Sequence, residues 1–444
     1  MLRHGLSATS FQTVQAGFRY FWCGPEACIA YVDTGGAWVA AGGPIAAPEA
    51  RAAAVSAFLA AASSSRVRAC FFAVEEPLRA ASGEALRRLG IGEQPVWDPR
   101  AWTAKLGAHR SLREQLRRAR AKGVCTREAT PSELQAGPVH DQIARVAERW
   151  LAARSMAPMA FLVHVAPFDF TAQRRTFIAE QRGRVLGFAG LIPVPARAGW
   201  FLQDLVRDPA APNGTGEALV DAAMRWAAES RCSWLTLGLA PLSGPLPPFL
   251  LAVRAATRLL YDFAGLRAYK AKFRPDSWQP VYLCYPSTQR QLRAIVDVLA
   301  AFASGGFLRF ALRSLLRGPT VVLRALAILL VPWTLLLASA PSERWFGSGW
   351  VKWAWVCFDI TVALGLFRLL AKPAARLLRT LALAVSIDAA VTTLEALAWN
   401  TRHVQGSLDW LVLALACSGP LLAAVVLWGA HRHRLLSVNR VPRR

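Results

Sequence analysis

Late in the first three hundred residues, three cations stand among aromatic rings: Lys270, Lys272 and Arg274 are threaded between Tyr269, Phe273, Trp278 and Tyr282. Cations at this density hold phosphate or a developing oxyanion, and the rings offer faces on which a planar base stacks. Trp278 and Tyr282 suit the core of a strand equally well. Upstream, Asp204 and Arg207 lie near the end of a strand-like run, and Asn213-Gly214-Thr215-Gly216 opens a helix whose free amides would receive an anion. An aspartate placed there accepts a proton or holds an ammonium group, although an Asp-x-x-Arg pair also serves as a plain structural salt bridge. A third cluster is HRSLREQLRRARAKG. On a helix it lines up Arg110, Arg113, Arg117 and Arg120 at spacings of three and four, sets Leu112 and Leu116 on another face, and ends at Gly123. Such a stripe fits the phosphates of RNA or of phospholipid; the competing reading is a solvated charged face.

The elements that must position these residues read as mixed α/β. Strands are expected at Arg19–Cys23, Ala27–Val32 and Ala37–Ala41, then a helix over Pro48–Ala62, a strand at Ala69–Val74 and a helix near Leu78–Leu89. The order recurs in Thr176–Gln181, Val185–Ile192 and Trp200–Val206 as strands, Gly216–Glu229 as a helix and Trp234–Leu239 as a strand. The region between, about Trp97 to Trp150, reads as mostly helical.

The chain has 444 residues, 54% of them hydrophobic, and a formal net charge of +24; its mean hydropathy is +0.29. That is too apolar for a wholly soluble protein. Residues 301–444 carry 16 Lys/Arg against 5 Asp/Glu, and residues 1–300 carry 36 against 23. Both parts therefore favour polyanionic partners, nucleic acid or an anionic bilayer. The eight cysteines are scattered, with no Cys-x-x-Cys pair and no histidine at ligand spacing, so neither a metal site nor a disulfide framework is expected. No Gly-x-Ser-x-Gly motif occurs either.

Four apolar segments of membrane-spanning length follow, roughly Thr320–Ala338, Trp350–Leu370, Leu378–Trp399 and Trp410–Ala430, with tryptophans toward their ends. Arginines cluster before the first, between the second and third, and after the last, which predicts a cytoplasmic head and C-terminus at an inner membrane. MLRHGLSATSFQ lacks the apolar core of a secretory signal, in keeping with a head in a reducing cytoplasm. Between head and tail, FASGGFLRFALRSLLRG reads as an interfacial helix with Arg309, Arg313 and Arg317 on one stripe, or as an extension of the first span. Asp359, Asp388 and Glu395 fall inside the spans, where either a proton or substrate path or contacts to Lys352 or Arg379 would account for them.

Two runs carry a family resemblance. Gly238, Ala240, Pro241, Leu242, Ser243 and Gly244 fit a Gly-x-Ala-Pro-Leu-Ser-Gly stretch, and Tyr261, Phe263, Gly265, Leu266, Lys270, Lys272, Phe273 and Pro275 fit Tyr-x-Phe-x-Gly-Leu-x-x-x-Lys-x-Lys-Phe-x-Pro. In that order they resemble the catalytic domain of the phosphatidylglycerol lysyltransferases, or aminoacyl-phosphatidylglycerol synthases, a DUF2156-like family. Asp204-Leu205-Val206-Arg207 followed by Pro212-Asn213-Gly214 is similar to that family's Asp-Leu-Met-Arg and Pro-x-Gly, with Val206 where Met is usual. The resemblance covers roughly Arg19 to Pro286.

The resemblance implies tandem GNAT-like (acetyltransferase-like) folds, here followed by about four transmembrane helices. The expected divisions are 1–105 for a first GNAT-like unit, 106–150 for a basic helical connector, 151–286 for a second unit carrying the motifs, 287–318 for a basic amphipathic linker, 319–432 for the membrane region and 433–444 for a basic tail. It implies aminoacyl-tRNA as co-substrate, with no further cofactor and no metal, and transfer of an amino acid to the hydroxyl of phosphatidylglycerol or a related lipid. Asp204 would take the lipid hydroxyl's proton or hold the donor's ammonium. Arg207, Lys270 and Lys272 would hold phosphate or oxyanion. Gly238, Ala240, Pro241, Ser243, Tyr261, Gly265, Arg274, Trp278 and Tyr282 would line the substrate site, and Arg110, Arg113, Arg117 and Arg120 would meet tRNA. In the resembled bifunctional enzymes a flippase segment precedes the catalytic domain, whereas here the membrane part follows it, so lipid flipping is not implied. Two alternatives are a membrane-anchored acyl-CoA-dependent N-acyltransferase, against which the long loop after Arg207 lacks the acetyltransferase Arg/Gln-x-x-Gly-x-Gly/Ala pattern, and a non-catalytic membrane sensor. Neither the amino acid transferred nor the oligomeric state is legible.

Overall fold

The computed structural model describes residues 1–75, 86–154, 159, 161–256, 262–303, 306, 319–371 and 374–439. They form two compact units, a head of Met1–Ala153 with Pro158–Phe307 and a tail of Leu308–Arg444 with Arg154–Ala157.

The head's strands are β1 Arg19–Gly24, β2 Ala27–Asp33, β3 Ala37–Ala41, β4 Arg68–Val74, β5 Leu86–Trp97, β6 Cys125–Glu128, β7 Arg175–Gln181, β8 Arg184–Val194, β9 Gly199–Arg207, β10 Leu235–Thr236, β11 Ala240–Pro241 and β12 Ser277–Pro286. Its helices are α1 Arg51–Ser64, α2 Trp102–Ala108, α3 Arg110–Ala121, α4 Pro131–Gln135, α5 Pro138–Ala152, α6 Thr215–Glu229, α7 Pro248–Ala256, α8 Phe263–Ala271 and α9 Gln291–Phe302. One sheet runs β1-β2-β3-β4-β12-β5-β10-β9-β8-β7-β6, with β11 added to β5. The expected repeat is present: three antiparallel strands, a helix, then a strand parallel to the third, as β1-β2-β3-α1-β4 and again as β7-β8-β9-α6-β10. These are the tandem acetyltransferase-like folds.

The halves exchange their closing strands. β12, from the end of the head, lies between β4 and β5, and β5, from the first half, lies beside β10. The sheet therefore does not part at residues 105 or 150. Strand β5 also replaces the end of the helix expected at Leu78–Leu89; residues 78–85 lie outside the described residues. Leu86 and Leu89 are both buried as a helix would bury them, but Gly90, Gly92 and Pro95 oppose a helix, and a ladder of pairs to β12 from Leu86 to Val96 decides the outcome. The strand expected at Trp234–Leu239 shortens to β10, and β6 interrupts the helical connector.

Helix α1 is alanine-rich and buries Ala54, Val55, Phe58 and Ala62 against β1, β2 and β4. α9 covers the other face of that half, burying Ala294, Val298 and Ala301 over Val39, Cys70 and Leu283. In the second half α3 and α6 share a core of Leu112, Leu116, Ala119, Leu219, Ala223 and Met224. A capping box between Thr130 and Glu133 starts α4.

The tail contains α10 Pro319–Ser339, α11 Ser342–Trp345, α12 Gly349–Ala371, α13 Ala375–Ala398 and α14 Ser407–Asn439. Among the described residues three stretches are long and apolar enough to cross a membrane: Gly349–Leu370, Ala375–Ala398 and Ser407–Arg432. The first expected segment, Thr320–Ala338, lies within α10, whose apolar stretch among the described residues is the shorter Ala325–Ser339. Leu323, Val362, Leu366, Leu381, Val385 and Leu427 pack between the helices, and Gly365 admits Leu381 where a Cβ would collide with it. Among the described residues Lys352 reaches no carboxylate: its ammonium donates to the carbonyls of Ala338 and Ala340 at 3.2 Å each, while Asp388 accepts from Thr392 at 3.0 Å. Residues 304, 305 and 307–318 of the anticipated interfacial helix and 440–444 of the basic tail lie outside the described residues, and residues 433–439 continue α14.

Candidate functional site

Helix α6 begins after a tight turn, Pro212-Asn213-Gly214, whose Thr215 hydroxyl donates to the Pro212 carbonyl at 2.7 Å. Gly214 is in the left-handed region at φ 97°, and a Cβ on it would meet the Gln115 carbonyl oxygen at 2.8 Å and the Ala119 Cβ at 3.0 Å. The glycine thus lets α3 pack against the mouth of α6. The preceding loop is anchored by buried Asp208, which pairs with Arg149 at 2.8 Å and Arg184 at 3.2 Å.

Helix α3 lies there with its basic side outward. Arg110, Arg113, Arg117, Arg118 and Arg120 are exposed, while Leu112, Leu116 and Ala119 are buried. Glu114, the one acid on this helix, is held down to about 2 by hydrogen bonds from Arg117 and Arg118. Arg120 reaches Asp221 of α6 at 3.5 Å, and Arg113 donates to the Leu106 carbonyl at 3.3 Å. Gly123, at φ 78°, follows the helix as its sequence signal required.

Beside the α6 mouth stand groups from two other elements. The Tyr269 hydroxyl of α8 sits where a Cβ on Gly216 would lie within 2.8 Å of it. Burial and the negative charge of Glu217 push this phenol up, against the opposing influence of Arg207. Lys272, half exposed, lies 3.5 Å from Glu217 and 5.3 Å from the centre of the Tyr269 ring. Arg207, at the exposed end of β9, has its Nη1 3.5 Å from the Ala211 carbonyl. Arg207, Glu217, Tyr269 and Lys272 therefore gather at one helix N-terminus next to the arginine stripe.

Two of the expected reactive groups are committed elsewhere. Lys270 points inward and donates to the carbonyls of Leu237, Gly238 and Leu239 at 2.8, 2.8 and 2.9 Å. Burial pushes its ammonium down to about 7, while three acceptors for three protons favour the charged form. Its work is to hold the Gly238 segment, not to meet a phosphate. Asp204 is buried in an ion pair with Arg174, whose guanidinium is fully enclosed and also donates to the Ala166 carbonyl at 3.1 Å. Asp204 is thereby closed to solvent, and a direct role as base on a lipid hydroxyl does not fit this arrangement.

The glycine-rich motif is a folded support. Gly238, at φ 71°, lies against Phe201 and donates to Thr236 Oγ1 at 3.0 Å. Ala240 and Pro241 form β11 opposite Glu93 and Gly92. The Ser243 hydroxyl is buried and turned back to the Ala240 carbonyl at 2.8 Å, and Gly244 leaves room for Glu93. Gly265 gives its amide to Asp262 at 2.8 Å, capping α8. Trp278 carries Arg267 stacked 4.5 Å from its ring centre, and Arg267 reaches Glu93 at 3.4 Å. Tyr282 departs from the expected pocket, packing with Ile29, Phe58 and Phe71 in the core of the first half. Arg274 is exposed at φ 51°, and Tyr261 lies outside the described residues. Among the described residues no group of acids, histidines and cysteines is arranged to hold a metal.

Arg174, Glu217 and Glu93 were not singled out from sequence. A glycine at 190 inside a buried strand was the available signal for Arg174, since such glycines mark close approach.

Residues 1–285 match the family described as "Phosphatidylglycerol lysyltransferase, C-terminal". A phosphatidylglycerol lysyltransferase of Bacillus subtilis is 27% identical over 154 residues, 33% of this chain and 18% of that protein. An uncharacterized protein of Corynebacterium glutamicum is 24% identical over 295 residues, 62% of this chain and 37% of that protein. The chain thus spans well under half the length of these relatives. The crystal structure of the C-terminal DUF2156 domain of a candidate lysylphosphatidylglycerol synthetase from Agrobacterium fabrum superposes with a TM-score of 0.58 at 25% identity, covering 68% of this chain and 94% of that one. L-PGS from Bacillus licheniformis gives the same TM-score at 20% identity, covering 68% and 93%, and adds to the fold alone. With nearly two thirds of its length matched to one family profile, the chain belongs to the phosphatidylglycerol lysyltransferase C-terminal family.

Proposed function

We propose that this protein moves an aminoacyl group from aminoacyl-tRNA to the hydroxyl of phosphatidylglycerol or a related phospholipid at the cytoplasmic face of an inner membrane. The observation that carries this reading is the exposed arginine face of α3 set against the N-terminus of α6, where Arg207 and Lys272 stand within the same cluster as Tyr269. A polyanionic donor and an anionic acceptor both need cationic surface, and the two cationic features adjoin.

The reaction is an ester exchange. The lipid hydroxyl oxygen attacks the aminoacyl carbonyl carbon, a tetrahedral oxyanion forms, the bond to the tRNA ribose oxygen breaks, and the proton lost by the lipid hydroxyl ends on that ribose oxygen. The ester is already activated, so alignment and oxyanion stabilisation supply the rate. Arg207, Lys272 and the α6 amides hold phosphate or oxyanion in this reading. Lys270 and Asp204 act as positioning residues, the first through the Gly238 segment and the second through Arg174. The arginines flanking the apolar helices support a cytoplasmic head.

Full-length protein in phosphatidylglycerol vesicles, given tRNA charged with a radiolabelled amino acid, tests the proposal. Label should enter the organic phase; label that stays wholly with tRNA under conditions where the protein binds tRNA would refute it.

A further inference from the structure

Helix α9 shows an apolar face that no described residue of the head covers. Its inner side buries Ala294, Asp297, Val298 and Ala301, and Asp297 is fixed by Arg68 through hydrogen bonds of 2.9 and 2.6 Å. Its outer side exposes Leu292 at 69%, Val296 at 50% and Leu299 at 50%. These three stand at spacings of four and three, one stripe of a helix. Among the described residues of the head, no other helix exposes three large aliphatics in this way. A single exposed leucine calls for no explanation, whereas an ordered stripe does.

Cations border it. Arg290 and Arg293 are exposed and have no acidic partner among the described residues, and Arg68 and Arg293 share a shallow depression with Leu292 and Val296. An apolar stripe edged by arginine is the composition of a helix that lies in a headgroup layer. Sequence beyond α9 continues the pattern: residues 303–318 contain Arg309, Arg313 and Arg317 and no acid, and only these sixteen residues separate Phe302 from the first tail helix.

We propose that the outer face of α9 docks on an anionic lipid surface, with Leu292, Val296 and Leu299 entering the headgroup–acyl boundary and Arg290 and Arg293 meeting lipid phosphates. The proposal rests on the membrane reading of the tail and is independent of the transfer reaction. Docking of this kind would present the head to the leaflet in one orientation, with α1, on the opposite face of the same sheet, turned away from lipid.

The test uses full-length protein in vesicles of phosphatidylcholine with phosphatidylglycerol, carrying Val296→benzoylphenylalanine, and as control Ser64→benzoylphenylalanine at the end of α1. Illumination should give phospholipid adducts at position 296 and none at 64, and Arg290→Glu with Arg293→Glu should cut the adduct yield at 296 by about fivefold or more. Absence of lipid adducts at 296, equal labelling at 64, or protein dimers as the product at 296 would overturn it, the last by showing that a second copy covers the face. The readout is mass spectrometric and needs no turnover, so loss of the transfer activity would not mimic its failure.

Discussion

The Arg174 guanidinium occupies the space above Gly190 that a Cβ would need, and from there it pairs with Asp204. Asp204 lies directly across from Gly190 in the β8–β9 ladder, so the missing side chain on one strand makes room for the counter-ion of its neighbour. Buried pairs of this kind are costly to break on one side, because the partner left behind has lost its solvation.

Gly190→Ala should therefore expel Arg174 and destabilise the head by about 3–5 kcal/mol. Arg174→Met alone should cost a similar amount. Arg174→Met combined with Asp204→Leu should recover most of it, since an apolar pair leaves no stranded charge. Denaturant unfolding of the wild type, Arg174→Met, Asp204→Leu and the double variant measures the coupling; additive losses would show that the two side chains do not act as a unit.

Lys270 gives a pH signature. Its folded value, near 7, is below the ordinary 10.5, so between about pH 7 and 10.5 the unfolded chain holds more of this lysine's proton and the contribution of Lys270 to stability rises with pH. Below pH 7 both states are protonated and the unfavourable contribution is fully present. Lys270→Met should abolish this slope and loosen the Gly238 segment. Stability curves of the two proteins that run parallel from pH 7 to 10 would contradict the assignment.

Reversing Arg113 and Arg117 to Glu should raise the apparent KM for charged tRNA by about tenfold or more and flatten its dependence on salt. Unfolding should be nearly unchanged, because both side chains are exposed and the Arg117–Glu114 pair is of the weak surface kind. An unchanged KM would remove α3 from the donor site.

Arg207→Gln and Lys272→Gln act on groups that face solvent at the α6 mouth. Each should lower kcat for lipid aminoacylation by about tenfold or more while leaving unfolding unchanged. Full activity in both variants would move the chemistry away from this cluster.

Local pattern gave the repeated strands, α1, α6 and the apolar tail helices, since each carries its own periodicity. Strand exchange was not legible: the partners of β12 lie some two hundred residues upstream, and no local period encodes them. The strand at Leu86–Leu89 has the same origin: the spacing of these two buried leucines suits a helix, and their distant partners in β12 choose the strand. Lys270 and Lys272 were read together as one cationic site. Residues two apart on a helix point about 200° away from each other, so α8 sends Lys270 into the head and leaves Lys272 outside. Asp262 ahead of Phe263-Ala264-Gly265 was the cap that marked this helix, and reading it as one would have separated the two lysines.

The most direct measurement is mass spectrometry of the lipid extract from a host that makes no aminoacylated lipids, expressing the full chain or its Arg207→Gln/Lys272→Gln variant. The account predicts a new phosphatidylglycerol-derived species heavier by one aminoacyl group in the first strain and little of it in the second. A lipid profile identical to that of the empty host, with the protein folded and in the membrane, would contradict it.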